Sequence, residues 1–252
     1  MTDARERTPH SAGRCYGLGV GPGDPELITV KAQRILQSCA TVAYFSASGR
    51  QSNALRVVEQ MLVPDQQLIH LVYPMTTERT SPGVSYDVVM RRFYDESAET
   101  LAEVLAAGRD VAVLCEGDPF FHGSFMYVHN RLSDRFLTEV VPGVTSMQAG
   151  AAVLGTPLVC LDEVLNVVSG TLPAAELRSR LDAAAATVVM KIGRNLEKVR
   201  TAVEQAGLLD RAWYVERATM AEQRVLPLKE VEPHSAPYFS LIVIPSFAAS
   251  QR

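Results

Sequence analysis

In its first half the chain alternates short β-branched apolar runs with amphipathic helical stretches, a pattern that admits little besides a parallel sheet flanked by helices. Five runs read as strands, at residues 15–20, 41–45, 67–72, 110–115 and 137–141. Most are continuously apolar, as expected for strands covered on both faces. Between them, residues 26–37 place Leu27, Val30, Ile35 and Leu36 near one helical face, and residues 85–107 start at a cap residue and stop at Gly108. After Pro142-Gly143 the pattern changes. A small-residue helix is expected near 146–154, then strands near 164–169, 187–192, 212–216, 224–228 and 238–244. The last two follow with little helix between them, which calls for a mixed sheet with antiparallel members. The expected fold is therefore α/β in two domains. A loose polar tail (1–14) precedes an N-terminal, mostly parallel domain with flanking helices (15–141), and a C-terminal mixed-sheet domain follows (142–252), with the active cleft between the two.

Composition removes several classes of function. The 252 residues are 47% hydrophobic and 21% charged, which is ordinary for a globular chain and far from disordered or fibrous extremes. Lys plus Arg number 24 against 28 Asp plus Glu, and no basic run is longer than Arg91-Arg92. Nucleic-acid scaffolds need clustered cations to displace phosphate counterions, so no nucleic-acid partner is expected. The longest uncharged stretch, residues 140–161, is broken by Pro142, Gly143, Gly150, Gly155 and Pro157, so no membrane span is expected either. The first fourteen residues are polar and lack an apolar core, which reads as a tail and not a signal peptide, and makes the cytoplasm the expected compartment. Cys15, Cys39, Cys115 and Cys160 form no C-x-x-C pair and read as small buried hydrophobes. His10, His70, His122, His129 and His234 show no metal-ligand spacing, so no metal is expected. Trp213 and Phe120 read as core, and no nucleophile elbow or Ser-His-Asp arrangement points to hydrolysis.

Three segments could carry chemistry. Residues 17–25 (GLGVGPGDP) form a glycine-rich turn between the first strand and the first helix. A dinucleotide fingerprint would need glycine at Pro22 or at Asp24, and no Lys-Ser or Lys-Thr follows, so neither nucleotide motif is complete. Asp24 would repel a pyrophosphate but suits a helix cap. Glu116-Gly117-Asp118-Pro119 closes the fourth strand, at the sheet edge where ligands sit in open α/β folds. There Gly117 would let a ligand approach the backbone and Asp118 could accept from an ammonium or ribose hydroxyl, although Asp118-Pro119 is also an ordinary turn. Pro142-Gly143-Val144-Thr145-Ser146 offers backbone N–H groups and two hydroxyls, or simply an N-cap. His122 follows the Asp118 loop closely enough to line the same cleft.

Taken together, in this order, Gly19-Val20-Gly21-Pro22-Gly23-Asp24-Pro25, Glu116-Gly117-Asp118-Pro119 and Pro142-Gly143-Val144-Thr145-Ser146 resemble the tetrapyrrole methylases over nearly the whole chain. The resemblance implies two α/β domains enclosing S-adenosylmethionine, with S-adenosylhomocysteine as product, in a homodimer. It implies cofactor contacts from Pro22, Glu116, Gly117, Asp118, Phe121, Thr145 and Ser146. Val188-Val189-Met190-Lys191-Ile192-Gly193 matches a strand end whose apolar residue, here Ile192, packs on the adenosyl group. Val215-Glu216-Arg217-Ala218-Thr219 matches a segment giving backbone contacts near Ala218. Val42-Ala43-Tyr44-Phe45, Gly49-Arg50, Asn53-Ala54, Tyr73-Pro74-Met75-Thr76-Thr77-Glu78 and Gly123-Ser124 resemble the branch of the family that methylates precorrin-2 at C-20 on the route to cobalamin.

The implied reaction passes a methyl group from a sulfonium to a nucleophilic ring carbon, so alignment and exclusion of water matter more than acid–base strength. Glu116 and His122 are candidates for moving the proton released afterwards. The polycarboxylate substrate needs local cations, and Arg50 is the first candidate, ahead of Arg91, Arg92, Lys191 and Arg194. Other readings stay open at this point. They are a cobalt-loaded substrate or another ring position, a nicotinamide-dependent oxidoreductase on the first glycine loop, and a non-catalytic S-adenosylmethionine sensor.

Overall fold

The computed structural model describes residues 12–75, 85–183, 185–232 and 236–246. Thr76-Thr77-Glu78 of the branch segment, together with His10 and His234, lies outside the described residues. The chain divides into two units between Val144 and Thr145.

Among the described residues the first unit has strands β1 (Cys15–Gly19), β2 (Thr41–Ala47), β3 (Gln67–Tyr73), β4 (Val111–Cys115) and β5 (Thr138–Val141), with helices α1 (Val30–Ser38), α2 (Asn53–Val58), α3 (Tyr86–Ala106) and α4 (Phe125–Leu132). The strands lie in the order β3-β2-β4-β1-β5, and every pairing is parallel. Side chains alternate along each strand and so sort between two faces. Cys15, Val111, Val113 and Cys115 pack with Leu101 and Leu105 of α3 and Phe125, Val128 and Leu132 of α4. Leu18, Val20, Ala112 and Leu114 pack with Ile35 and Leu36 of α1 and Ala54, Val57 and Val58 of α2. At the sheet edge β3 pairs, among the described residues, only with β2, and Leu68 and Val72 are exposed despite their apolar run.

The single helix expected over 26–37 is broken. Asp24 does cap a turn, its Oδ1 accepting the Glu26 N–H at 2.8 Å, but Pro25–Leu27 is only a 3-10 turn. Ile28 and Thr29 are extended, and the Thr29 hydroxyl then accepts the Ala32 N–H at 3.1 Å to start α1 at Val30. This new start rotates the buried face onto Ala32, Ile35 and Leu36, and Val30 is left 82% exposed. Residues 12–14 are also less loose than expected. The Gly13 N–H donates to the Leu105 carbonyl and the Arg14 N–H to Asp110, both at 2.7 Å.

The second unit has β6 (Leu165–Ser169), β7 (Ala186–Met190), β8 (Trp213–Glu216), β9 (Arg224–Pro227) and β10 (Ser240–Ile244), with α5 (Ser146–Leu154), α6 (Ala174–Asp182) and α7 (Leu196–Gln205), among the described residues. Its order is β6-β7-β10-β8-β9. β6 and β7 are parallel, whereas β10 runs antiparallel to both β7 and β8, and β9 antiparallel to β8, so the mixed sheet read from the sequence is present. One face carries α6 and α7 on Val168, Val189, Tyr214, Ile242 and Ile244. The other carries α5, and here the small residues have a use. A Cβ at Gly150 would lie 3.1 Å from Leu241 and 3.3 Å from Val243, so the helix sits close on β10. No helix among the described residues is long and apolar enough to cross a membrane.

Candidate active site

In the first unit the chain leaves β1 toward β2 on one side of the sheet and β4 toward β5 on the other. Diverging connections of this kind open a crevice at the carboxyl ends of the two neighbouring strands. The three glycine-bearing segments meet there. Gly21 and Gly117 exchange backbone hydrogen bonds of 3.3 and 2.8 Å. A Cβ on Gly19 would lie 2.5 Å from the Gly143 nitrogen, and one on Gly143 only 2.1 Å from the Gly117 carbonyl oxygen. Gly117 itself has φ 63°, a conformation that favours glycine. The glycines thus let three loops touch backbone to backbone, a role beyond the ligand approach expected of Gly117.

Asp118 fastens the same knot. Its Oδ1 accepts the Phe120 N–H at 2.9 Å and its Oδ2 accepts the Gly143 N–H at 3.0 Å, so both carboxylate oxygens already bind backbone. Glu116 continues the side-chain alternation of β4 toward the α1/α2 face and is partly buried. Desolvation raises its pKa to about 7, against a hydrogen bond from Asn53 that works the other way. Asn53 opens α2. The sequence presented it only as part of a resemblance, and the signal for its partnership was the strand parity that Glu116 inherits. Pro22 and Phe121 are half-buried; His122 is exposed, with φ 57° and its ring edge-on to Phe121 at 5.1 Å. Phe120, expected in the core, is 48% exposed, because the Asp118-Pro119 turn carries it out over α4 edge-on to His129 at 5.0 Å.

Two further arrangements at these strand ends had no sequence signal beyond the branch segments. The Ser124 hydroxyl, at the start of α4, lies 2.7 Å from the Tyr73 hydroxyl at the end of β3 and 3.1 Å from that of Tyr94. Near the end of β2, the Ser46 hydroxyl donates to the Arg50 carbonyl at 3.0 Å and meets His70 Nε2 at 2.6 Å, which tethers the loop that exposes Arg50. Of the other cation candidates, Arg92 pairs along α3 with Glu96 at 2.7 Å. Arg91, Lys191 and Arg194 are exposed.

In the second unit β7 and β8 flank β10 and run parallel to each other, so residues 190–193, residues 216–219 and Ser240 share one sheet edge. Ile192 stands between Lys191 (φ 56°) and Gly193 (φ 24°), and Ala218 between Arg217 (φ 48°) and Thr219 (φ 68°). The Ile192 side chain is enclosed at 0% exposure in the core that contains Leu196 and Val199. The side chain expected to pack on the adenosyl group is thus already enclosed by this core. Thr145 is the N-cap of α5, its N–H and hydroxyl both donating to Gln148 Oε1, at 2.9 and 2.7 Å, and Ser146 is the first helical residue.

Cys15, Cys39 and Cys115 are buried as expected, and burial pushes the Cys15 and Cys39 thiols up to about 12, whereas Cys160 is only half-buried. Among the described residues no group of three or more His, Cys, Asp or Glu could hold a metal ion.

Residues 14–232 match the profile of the tetrapyrrole (corrin/porphyrin) methylases. The chain belongs to this family of S-adenosylmethionine-dependent methyltransferases. It is 48% identical to the precorrin-2 C(20)-methyltransferase of a Sinorhizobium species, over 93% of this chain and 96% of that protein. It is 50% identical to the cobalamin biosynthesis protein CobIJ of Mycobacterium tuberculosis over 92% of this chain, but spans only 46% of that longer protein. The cobalt-precorrin-2 C(20)-methyltransferase of Salmonella typhimurium is 33% identical over 92% of this chain and 96% of that protein. Among solved structures, the cobalt precorrin-4 methyltransferase CbiF shares the fold with a TM-score of 0.72 at 21% identity, covering 96% of this chain and 98% of that one. The uroporphyrin-III C-methyltransferase of Thermus thermophilus, solved with S-adenosyl homocysteine, has a TM-score of 0.63 at 26% identity over 92% of both chains.

Proposed function

We propose that this chain uses S-adenosylmethionine to methylate C-20 of precorrin-2, giving precorrin-3A in cobalamin biosynthesis. The observation that carries this is the 48% identity to a precorrin-2 C(20)-methyltransferase along 96% of that protein's length. The cobalt-loaded substrate is the second reading, and the lower identity of 33% to the Salmonella enzyme favours the metal-free one.

The residues present fit the cofactor. Gly19, Gly117 and Gly143 leave the strand ends bare of side chains, and Glu116 is a carboxyl poised near neutrality that can turn anionic beside a cationic ligand. When bound, S-adenosylmethionine supplies a methyl already activated on a sulfonium. Pro22, Glu116, Gly117, Asp118, Phe121, Thr145, Ser146, Ile192 and the Ala218 backbone are proposed to hold it, with Asp118 also fixing the loops that do so. As the new carbon–methyl bond forms, C-20 gives up its hydrogen as a proton. Glu116 accepts it, and His122 is the second candidate for that step. Arg50 pairs with a substrate carboxylate. The enzyme is expected to work in the cytoplasm as a homodimer, and a monomeric sedimentation profile at micromolar concentration would contradict the dimer.

The direct test is mass spectrometry of freshly prepared precorrin-2 incubated anaerobically with S-adenosylmethionine, beside its cobalt-loaded counterpart, with NMR of the labelled product. One added methyl at C-20 is the expected result, and binding of the cofactor with no product from either substrate would sink the assignment. Glu116→Gln is expected to slow single-turnover methyl transfer about a hundredfold with S-adenosylhomocysteine affinity nearly intact. Arg50→Ala should raise the substrate KM and leave cofactor binding alone; an unchanged KM removes Arg50 from the site.

A further inference from the structure

The turn after β8 is an expensive piece of backbone. Arg217 and Thr219 both have positive φ, at 48° and 68°, although neither is glycine. Such residues persist only where their surroundings over-determine them, and they gather at ligand clamps. Here the surroundings can be named. The Glu216 carboxylate, 4% exposed, receives the Tyr214 hydroxyl on Oε2 at 2.8 Å, the Arg217 guanidinium on Oε1 and the Arg224 guanidinium near Oε2 at 3.5 Å. From the far side Gln223 Oε1 accepts the Thr219 N–H at 2.7 Å. The Arg217 N–H donates to the Phe239 carbonyl at 2.7 Å and the Met220 N–H to the Arg217 carbonyl at 2.9 Å.

Only the carboxylate of this cluster is buried, its arginine partners being partly exposed, and because desolvation offsets much of the attraction such a cluster is weak evidence for stability. What this one does supply is direction. Arg217 is the residue next to Glu216 in sequence, and its guanidinium can fold back onto that carboxylate only if the backbone between them bends sharply. The bend leaves Ala218 just beyond the Glu216–Ser240 pair, at the same sheet edge as residues 190–193.

We propose that Glu216 is a positioning residue that, with Gln223, holds the Arg217–Thr219 turn so that the Ala218 backbone is set to receive the cofactor. The inference rests on the assignment of Ala218 to the cofactor site. Glu216 touches no reacting atom and acts through the turn.

The test compares full-length wild type with Glu216→Gln, Gln223→Ala and Leu177→Ala. The last removes buried volume under α6 in the same unit and serves as a stability control. The readouts are S-adenosylhomocysteine affinity by calorimetry, amide hydrogen exchange over residues 217–220 without ligand, and melting temperature. Glu216→Gln should weaken S-adenosylhomocysteine about tenfold and speed exchange in the turn, without changing the tetrapyrrole KM. Gln223→Ala should weaken it about threefold, and it carries the test if Glu216→Gln does not fold. Leu177→Ala should lower the melting temperature and leave affinity unchanged. Wild-type affinity and exchange in Glu216→Gln, or in Gln223→Ala where that variant stands in, overturns the proposal. So does a loss of affinity in Leu177→Ala matching that in Glu216→Gln. If wild type itself fails to bind S-adenosylhomocysteine while exchange still responds to the substitutions, the cofactor assignment has failed and not the clamp.

Discussion

The two units bring backbone to a sheet edge by opposite means. In the first, Gly19, Gly117 and Gly143 remove the side chains, and loops converge until a single Cβ would collide with a neighbouring main chain. In the second, Lys191, Arg217 and Thr219 keep their side chains and adopt φ values that glycine would take at no steric cost, with the strain at Arg217 and Thr219 held by Glu216 and Gln223. A glycine edge fails when anything is added to it. A clamped edge fails when a partner is taken away. The two designs therefore differ in what breaks them, and substitutions can separate them.

The largest effect is expected at Gly143→Ala. Its Cβ would meet the Gly117 carbonyl at 2.1 Å and the Gly19 backbone at 2.8 Å, neither of which can rotate out of the way. Destabilisation of ~3 kcal/mol and loss of measurable S-adenosylhomocysteine binding are the expected outcomes, read by denaturant unfolding and calorimetry. Binding retained by a stably folded Gly143→Ala would show that the three-loop contact is dispensable.

Next in size is a pH effect confined to the first unit. Folding raises the Glu116 pKa from 4.5 to about 7, chiefly by desolvation, so the folded state holds a proton that the unfolded chain releases. Its contribution to stability is thus fully present below about pH 4.5 and is lost as pH rises through about 7, with a ceiling of ~3 kcal/mol that partial exposure reduces. Glu116→Gln should flatten that slope and melt above wild type at pH 8, with the two converging at pH 4.5. Parallel melting curves across this range would remove the desolvated carboxyl from the account. The clamp in the second unit is expected to show no such slope from Glu116, so the contrast is read in one pair of pH titrations.

The sequence discloses the glycine edge far better than the clamped one. Strand and helix alternation is enough to place β1 to β5, and the glycines of residues 17–23, 117 and 143 announce themselves because few other positions demand that residue. Positive φ at Lys191, Arg217 and Thr219 leaves no such mark, since nothing local in these residue types forecasts it. The direction of Ile192 was equally hidden. Periodicity marks residues 187–192 as an apolar strand, but the enclosure of Ile192 with Leu196 and Val199 comes from the packing of α7. The broken helix at Ile28-Thr29 misled for a related reason: a hydroxyl cap three residues before Ala32 competes with an uninterrupted apolar stripe, and the stripe alone does not say which prevails. Asp118 reads in the sequence as a ligand-facing carboxylate, and its bond to the Gly143 N–H is not legible there because that partner is distant in sequence.

The smallest effect tests whether conformation without crowding can be told from crowding itself. Gly155 ends α5 with φ 67° and ψ 26°, and a Cβ placed there would have nothing within 4 Å. Space is therefore no obstacle, and the only cost is that of the left-handed conformation, about 1 kcal/mol for alanine. Asparagine visits that region more readily and should cost less than alanine at the same position. The expected order of stability is wild type, then Gly155→Asn, then Gly155→Ala, with melting temperatures spread over roughly 2–4 °C and S-adenosylhomocysteine affinity unchanged. If alanine and asparagine were equally harmful, some unrecognised contact at Gly155 would have to be responsible. Conformation would then cease to be separable from packing in the second unit, and the contrast with the crowded glycines of the first would lose its cleanest control.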